Sequence, residues 1–194
     1  MEIDKKTLNL VVPVSTDNGT AYIHSTPIRR EVFREHFLVL SKTLNSMYAE
    51  GVSQVTGPRI AALMLEKISK EDGIWETDGA IIGVKDSLIN EIRRLSNVIL
   101  STSEGWKTIP LMDAVNQGKL EIEDVEEAEG FIVFFTCISR IHKRKEVLTF
   151  LGPMAKLWNT QSTLLNVTEY IASLPTLKTE ETLAPEVPTL SIPV

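Results

Sequence analysis

The chain opens with residues that alternate in polarity. Leu8, Leu10, Val12 and Val14 are interleaved with Asn9, Val11 and Pro13, which is the two-residue period of a half-buried strand. Asp17-Asn18-Gly19 follows, and Asn and Gly tolerate the positive φ of tight hairpin turns. Thr20 to His24 is then the return strand. Pro13 lacks an N–H, so one side of the first strand is expected to be unpaired. A lone two-stranded hairpin is marginal in water. This one must dock on helices or pair with another chain.

The period then changes. Thr26-Pro27 supplies a capping hydroxyl and a proline at the first helical position. Ile28, Val32, Phe33, Phe37, Leu40, Leu44, Met47 and Tyr48 recur at helical spacing up to a stop at Gly51. A second helix starts at Thr56-Gly57-Pro58, carries Ile60, Leu63, Met64 and Ile68, and ends near Gly73. Gly73 to Lys85 holds three glycines and little period, which predicts a mobile loop. A third helix, capped by Asp86 or Ser87, has one face made of Leu88, Ile89, Ile92, Leu95 and Ile99. Ser101 to Pro110 reads as a connection, and Leu111 to Asn116 as a short helix stopped by Gly118.

Glu121 to Lys145 is the most unusual segment. It starts with six acids (Glu121, Glu123, Asp124, Glu126, Glu127, Glu129), runs through the apolar stretch Phe131 to Ile138, and ends on Arg140, His142, Lys143, Arg144 and Lys145. As one helix, both charged ends complement the macrodipole, and the apolar middle calls for burial on every side. A short run rich in aromatic and β-branched residues also suits a buried strand. Charged flanks without proline favour the helix, although Gly130 costs it about 1 kcal/mol. Two more helices are expected, Glu146 to Trp158, broken or kinked at Gly152-Pro153, and Ser162 to Leu174. After Leu174 the composition turns to Pro, Thr and Glu, which cannot pack a core. The expected fold is mainly α: an N-terminal β-hairpin, a multi-helix domain over 1–174, and a flexible tail over 175–194.

Composition narrows the classes. The chain has 194 residues, 43% of them hydrophobic, a net charge of −6 and one cysteine. The acidic balance argues against general nucleic-acid affinity, which needs phosphate-neutralising Lys and Arg. A single cysteine fits a reducing compartment. No signal peptide is visible at the N-terminus, and no apolar run approaches the ~18 residues of a membrane span.

Local enzyme motifs are absent. Gly118-Lys119 is followed by Leu120, and position 113 is Asp, so no phosphate loop forms. Gly73, Gly79 and Gly83 lack the dinucleotide spacing, and there is no nucleophile elbow. His24, His36 and His142 are scattered, and one cysteine cannot build a zinc site. Cys137 and His142 would point about 140° apart on a helix, and a thiol in the most apolar run is inert. The acidic cluster lacks the glycine and alternation of a calcium loop. Its simplest role is a solvated helix start, and that of the basic cluster a solvated helix end. Together they suggest head-to-tail subunit pairing of Glu123, Glu126 and Glu127 with Lys143 and Arg144. Trp75, Trp106 and Trp158 flank loops or helix ends as core anchors or contact residues. No catalytic residue and no cofactor are expected.

Several stretches together resemble the tail assembly chaperones of long, non-contractile-tailed bacteriophages. They are Thr7-Leu8-Asn9-Leu10-Val11-Val12-Pro13-Val14, Tyr22-Ile23-His24-Ser25-Thr26-Pro27-Ile28 leading into Arg30-Glu31-Val32-Phe33, Gly57-Pro58-Arg59-Ile60-Ala61-Ala62-Leu63-Met64-Leu65 and Leu88-Ile89-Asn90-Glu91-Ile92-Arg93-Arg94-Leu95. The resemblance covers about residues 7 to 174 and rests on no chemical motif. It implies a non-enzymatic protein of the host cytoplasm that is absent from the mature virion. Its implied partners are the tape-measure protein, kept soluble, the tail-tube protein, recruited to it, and a longer, frameshifted form of the chain, of which this would be the shorter. Neither a nucleic acid nor a membrane is expected as a partner, on the acidic balance and the short apolar runs. Phe33, Phe37, Phe134 and Phe135 are the candidate client or self-contact residues, since apolar grooves hold helical clients. A structural virion component, such as a tail-completion or connector protein, is the alternative.

Overall fold

The computed structural model describes residues 7–16, 19–51 and 56–175. The hairpin forms as expected, from β1 (Asn9–Thr16) and β2 (Gly19–Ser25). The Asp17-Asn18 turn and residues 176–194 of the expected tail lie outside the described residues. The expected mainly α fold is not observed. Among the described residues, seven α-helices share the fold with a five-stranded antiparallel sheet.

The additional strands are β3 (Ser96–Thr102), β4 (Gly105–Pro110) and β5 (Gln161–Thr163), and the sheet order is β4-β3-β2-β1-β5. The expected third helix therefore stops before Ile99. A π-helical turn over Lys85–Ile89 runs directly into α3 (Asn90–Arg94), and Ile99 sits in β3. The supposed connection Ser101 to Pro110 is a second hairpin. It is closed as the first one is: the Thr102 hydroxyl donates to the Gly105 carbonyl at 2.7 Å, as the Thr16 hydroxyl does to Gly19. Both glycines have φ above +100°, a region an L side chain rarely adopts. The first hairpin is thus central in the sheet. β3 covers its β2 edge, and β5 covers β1 over Asn9–Val11.

One sheet face carries Leu10, Val12, Val14, Ala21, Ile23 and Val98 into the main core. α5 (Ile122–Ile141) packs on it through β1, and α1 (Arg30–Ala49) and α2 (Gly57–Glu71) pack on α5 in the same core. α1 begins four residues beyond Thr26, with Arg29 as its N-cap, and Thr26 N–H donates to the Leu95 carbonyl instead. Gly51 and Gly73 end their helices with φ near +70°. The loop between Gly73 and Lys85 is knitted rather than loose. Val84 N–H donates to Ile74, Lys85 N–H to Trp75, and the Thr77 hydroxyl bonds both Asp86 and Gly83 N–H. The short helix α4 (Leu111–Asn116) matches its predicted limits.

The acidic and apolar parts of the expected Glu121 to Lys145 helix form α5, with every residue from Ala128 to Ile138 buried. The expected basic end is not part of it: the backbone turns extended at His142, and Lys143, Arg144 and Lys145 open the next helix instead of completing this one. Gly130 has a structural reason. A Cβ there would lie 2.5 Å from the Arg59 carbonyl oxygen and 2.9 Å from that of Pro58, so only glycine lets α2 come this close. α6 (Arg144–Leu157) runs unbroken through Pro153. The lost hydrogen bond is offset by burial of Leu151 and Met154 and by the Trp158 ring 5.9 Å from Phe131.

The other sheet face is covered by the C-terminal segment. β5 and α7 (Val167–Ser173) replace the expected single helix Ser162 to Leu174. Tyr170 packs on Val11, Ile99, Tyr22 and His24. The Leu165 carbonyl accepts from Asn9 Nδ2 and His24 Nε2, each at 3.0 Å, and Trp106 Nε1 donates to the Pro175 carbonyl at 2.8 Å. A carbonyl can only accept, so Nε2 carries the proton of neutral His24.

Two outcomes follow from this packing. Gly130→Ala raises helix propensity by about 1 kcal/mol, yet is expected to lose about 1–3 kcal/mol through backbone overpacking. The urea midpoint should fall with the m-value unchanged, and a raised midpoint would contradict the close approach. Burial holds His24 and His36 below the usual imidazole value of 6.5. The unfolded chain then binds these protons first, so their contribution is complete above pH 6.5 and is lost as pH falls below it. His24→Gln should flatten the decline in melting temperature between about pH 7 and 5 relative to the parent.

Candidate functional site

A cleft of about 410 Å³ with an apolar floor lies between α2 and the first half of α5. α2 contributes Arg59, Ala62, Leu63 and Glu66, at i, i+3, i+4 and i+7. α5 contributes Ile122, Val125 and a row of acids, Glu123, Glu126, Glu127 and Glu129. Trp75 and Lys85, which close the base of the 76–84 loop, form one wall, and Ile89 and Arg93 form the back. Leu63 is 67% exposed and Ile122 50%. Ile81 and Ile82, at the tip of the same loop, are also exposed. Large apolar residues left in water together signal a contact surface.

The charges around the cleft are unequally matched. Arg93 clasps buried Glu129 with two hydrogen bonds, Nε to Oε1 at 2.7 Å and Nη2 to Oε2 at 3.1 Å. Arg59 pairs with Glu127 at 2.8 Å and lies 4.5 Å over the Trp158 ring, which fastens α6 to α2. Lys70 holds Glu66. Glu123 and Glu126 are exposed and have no ion-pair partner among the described residues. The field they share with their neighbours is negative: burial, then Glu127 and Glu123, push the Asp124 carboxyl above its ordinary value. The cleft thus joins an apolar floor to an acidic rim, a combination suited to holding an apolar segment with basic flanks.

The structure separates the residues singled out in the sequence. Phe37 is 53% exposed on the outer side of α1, and Phe33 is half-buried against the core. Phe134 and Phe135 are fully packed inside α5's surroundings, at 2% and 0% exposure, and present nothing to a client. Glu123, Glu126 and Glu127 line the cleft, whereas Lys143 and Arg144 stand beyond the far end of α5, about 20–27 Å along it at 1.5 Å per residue. Arg140 turns inward instead of into solvent, donating to the Ile28 carbonyl. Burial pushes the Cys137 thiol up to about 12, which leaves it inert.

Sequence reasoning missed Leu63 as a surface residue, and missed Trp75, Ile89, Ile122, Arg93 and Glu129 as its neighbours. Leu63 was counted with the core face of α2. The available signal was a second stripe on that helix, Arg59-Ala62-Leu63-Glu66, distinct from the buried stripe Ala61-Met64-Leu65-Ile68. Among the described residues, no group of three His, Cys, Asp or Glu could hold a metal ion, and no helix is long and apolar enough to cross a membrane. Comparison with protein-family models, with curated proteins and with solved structures finds no match to this chain.

The Arg93–Glu129 clasp fixes α3 against α5 and sets the back of the cleft. Glu129→Gln leaves Arg93 half-desolvated with a weaker acceptor. It is expected to cost about 2 kcal/mol, less than a fully buried pair because Arg93 keeps some water. Chemical denaturation measures this, and a Glu129→Gln chain as stable as the parent would show the clasp to be dispensable.

Proposed function

We propose that this chain is a non-enzymatic helix-binding module. More particularly, it is the shorter form of a tail assembly chaperone of long non-contractile-tailed bacteriophages. It holds segments of the tape-measure protein in the α2–α5 cleft, keeps that long apolar chain soluble, and assists recruitment of tail-tube subunits in the host cytoplasm. The protein then leaves before the virion is complete, and a longer frameshifted form would share its domain.

The observation that carries this reading is the cleft itself, with an apolar floor open to solvent at Leu63 and Ile122. A helical client presents apolar side chains at i, i+3, i+4 and i+7, and such a groove accepts one such stripe. The resemblance read from the sequence supplies the identity of the client. The exposed Phe37 and Leu38 on α1 offer a second, smaller apolar area on the same domain.

Co-expression tests the reading. A tape-measure fragment expressed with the chain should move from pellet to supernatant and co-purify with it. Leu63→Asp with Ile122→Asp alters only exposed side chains, so the domain should stay folded while recovery of the complex falls at least tenfold. An unchanged fragment solubility with no complex recovered would overturn the proposal.

A further inference from the structure

Both ends of α5 present exposed apolar residues beside charges, acids being in excess at one end and bases at the other. At the cleft end these are Leu63 and Ile122, beside the unpartnered carboxylates Glu123 and Glu126. At the other end the chain passes from α5 into α6 through His142 and Lys143. Ile141 (39%) and Leu148 (44%) are exposed there, together with Lys143, Arg144 and Lys145. Lys145 and Arg144 precede Leu148 by three and four residues, so all three lie on one face of α6. The separation along α5 prevents these patches from meeting within one chain.

We propose that a second copy of the chain seats its α5–α6 corner in the α2–α5 cleft of the first, head to tail. Ile141 and Leu148 meet the apolar floor, and Lys143 and Lys145 face Glu123 and Glu126. The two patches differ, so the contact is heterologous. Each bound copy leaves one cleft and one corner open, and the assembly grows into a ring or a filament rather than stopping at a twofold dimer. Rim charges set the orientation and the encounter rate and supply the part of the adhesion that salt can screen, beside the apolar contact. One consequence rests on the function proposed above: a tape-measure segment and a neighbouring subunit compete for the same cleft, so self-assembly shields the apolar floor until client arrives.

Sedimentation velocity on the full chain tests the contact. At about 50 mM salt the mean mass should rise with concentration, and at about 500 mM it should fall back towards that of one chain, because the rim pairs are screened. The double variant Glu123→Lys, Glu126→Lys and the double variant Lys143→Glu, Lys145→Glu should each sediment as single chains while retaining the parent's circular dichroism. Mixed in equal amounts they should assemble again, since reversed cleft accepts reversed corner and parent cleft accepts parent corner. If one variant fails to fold, Leu148→Asp replaces it and should also sediment as single chains. A parent chain that stays single at every concentration and salt, variants that assemble like the parent, or a mixture that stays single would each overturn the proposal. Failure of the two proposals is distinguishable. Self-association without tape-measure binding removes the chaperone reading alone, and tape-measure binding by a chain that never self-associates removes this one alone.

Discussion

The close approach of α2 and α5 at Gly130 is the constraint on which the domain depends. α5 carries an uninterrupted apolar middle, Phe131 to Ile138, and such a helix is stable in water only if other elements surround it. The sheet face of β1, together with α1, α2 and α6, provides that enclosure. It closes because the backbone carbonyls of Pro58 and Arg59 reach the space a side chain at position 130 would fill. Glycine weakens the helix locally and gains the packing of a whole neighbouring helix in return. Arg59, anchored at the same point, then reaches Glu127 and Trp158, so α6 is tied to the same junction.

The sheet solves a second problem, that of its outer face. Tyr22, His24, Ile99 and Trp106 point away from the main core and would be left in water by the helices alone. The segment after α6 returns over them, and its carbonyls at Leu165 and Pro175 take the hydrogen bonds of Asn9, His24 and Trp106. Every one of those donors is on a strand, so the strap also pins strands from both hairpins. A buried histidine with its proton on Nε2 makes this part of the fold respond to acid, as buried His36 does on α1.

The legible parts of the sequence were those whose period is long or whose punctuation is strong. The first hairpin, α1, α2 and α4 were readable because apolar residues repeat before a glycine, and α5 because charged residues bracket its apolar run. β3 was not, because Leu88 to Ile99 offers apolar residues at spacings that suit one helix right through Leu95, and only tertiary pairing with β2 turns the last part into a strand. The Thr102-Ser103-Glu104-Gly105 turn repeats the Thr and Gly placement of the first hairpin and was the overlooked sign of strand. β5 is three residues long and has no pattern of its own. In the candidate site, the acids of α5 were visible as a cluster, but the apolar floor between them was not. Leu63 belongs by spacing to either stripe of α2, and only the position of α5 decides which stripe is covered.

The cleft is itself a consequence of the Gly130 junction. α2 and α5 pack on each other over much of their length, and the cleft runs along the solvent side of that contact. From Gly130 outward, Arg59 to Glu66 on α2 and Glu129 to Ile122 on α5 line the cleft. The α5 half carries four carboxylates beside Ile122 and Val125, and the two without an ion-pair partner among the described residues, Glu123 and Glu126, favour hydration over closure. Acids at a helix start are stabilised by the macrodipole, so the charge that keeps the cleft open also stabilises the helix that forms it. The same charge selects what enters, because an apolar segment with basic flanks pairs these carboxylates as it covers Leu63 and Ile122. Both the client and the neighbouring copy proposed here enter on these terms, and for that reason a single cleft can serve assembly and storage in turn.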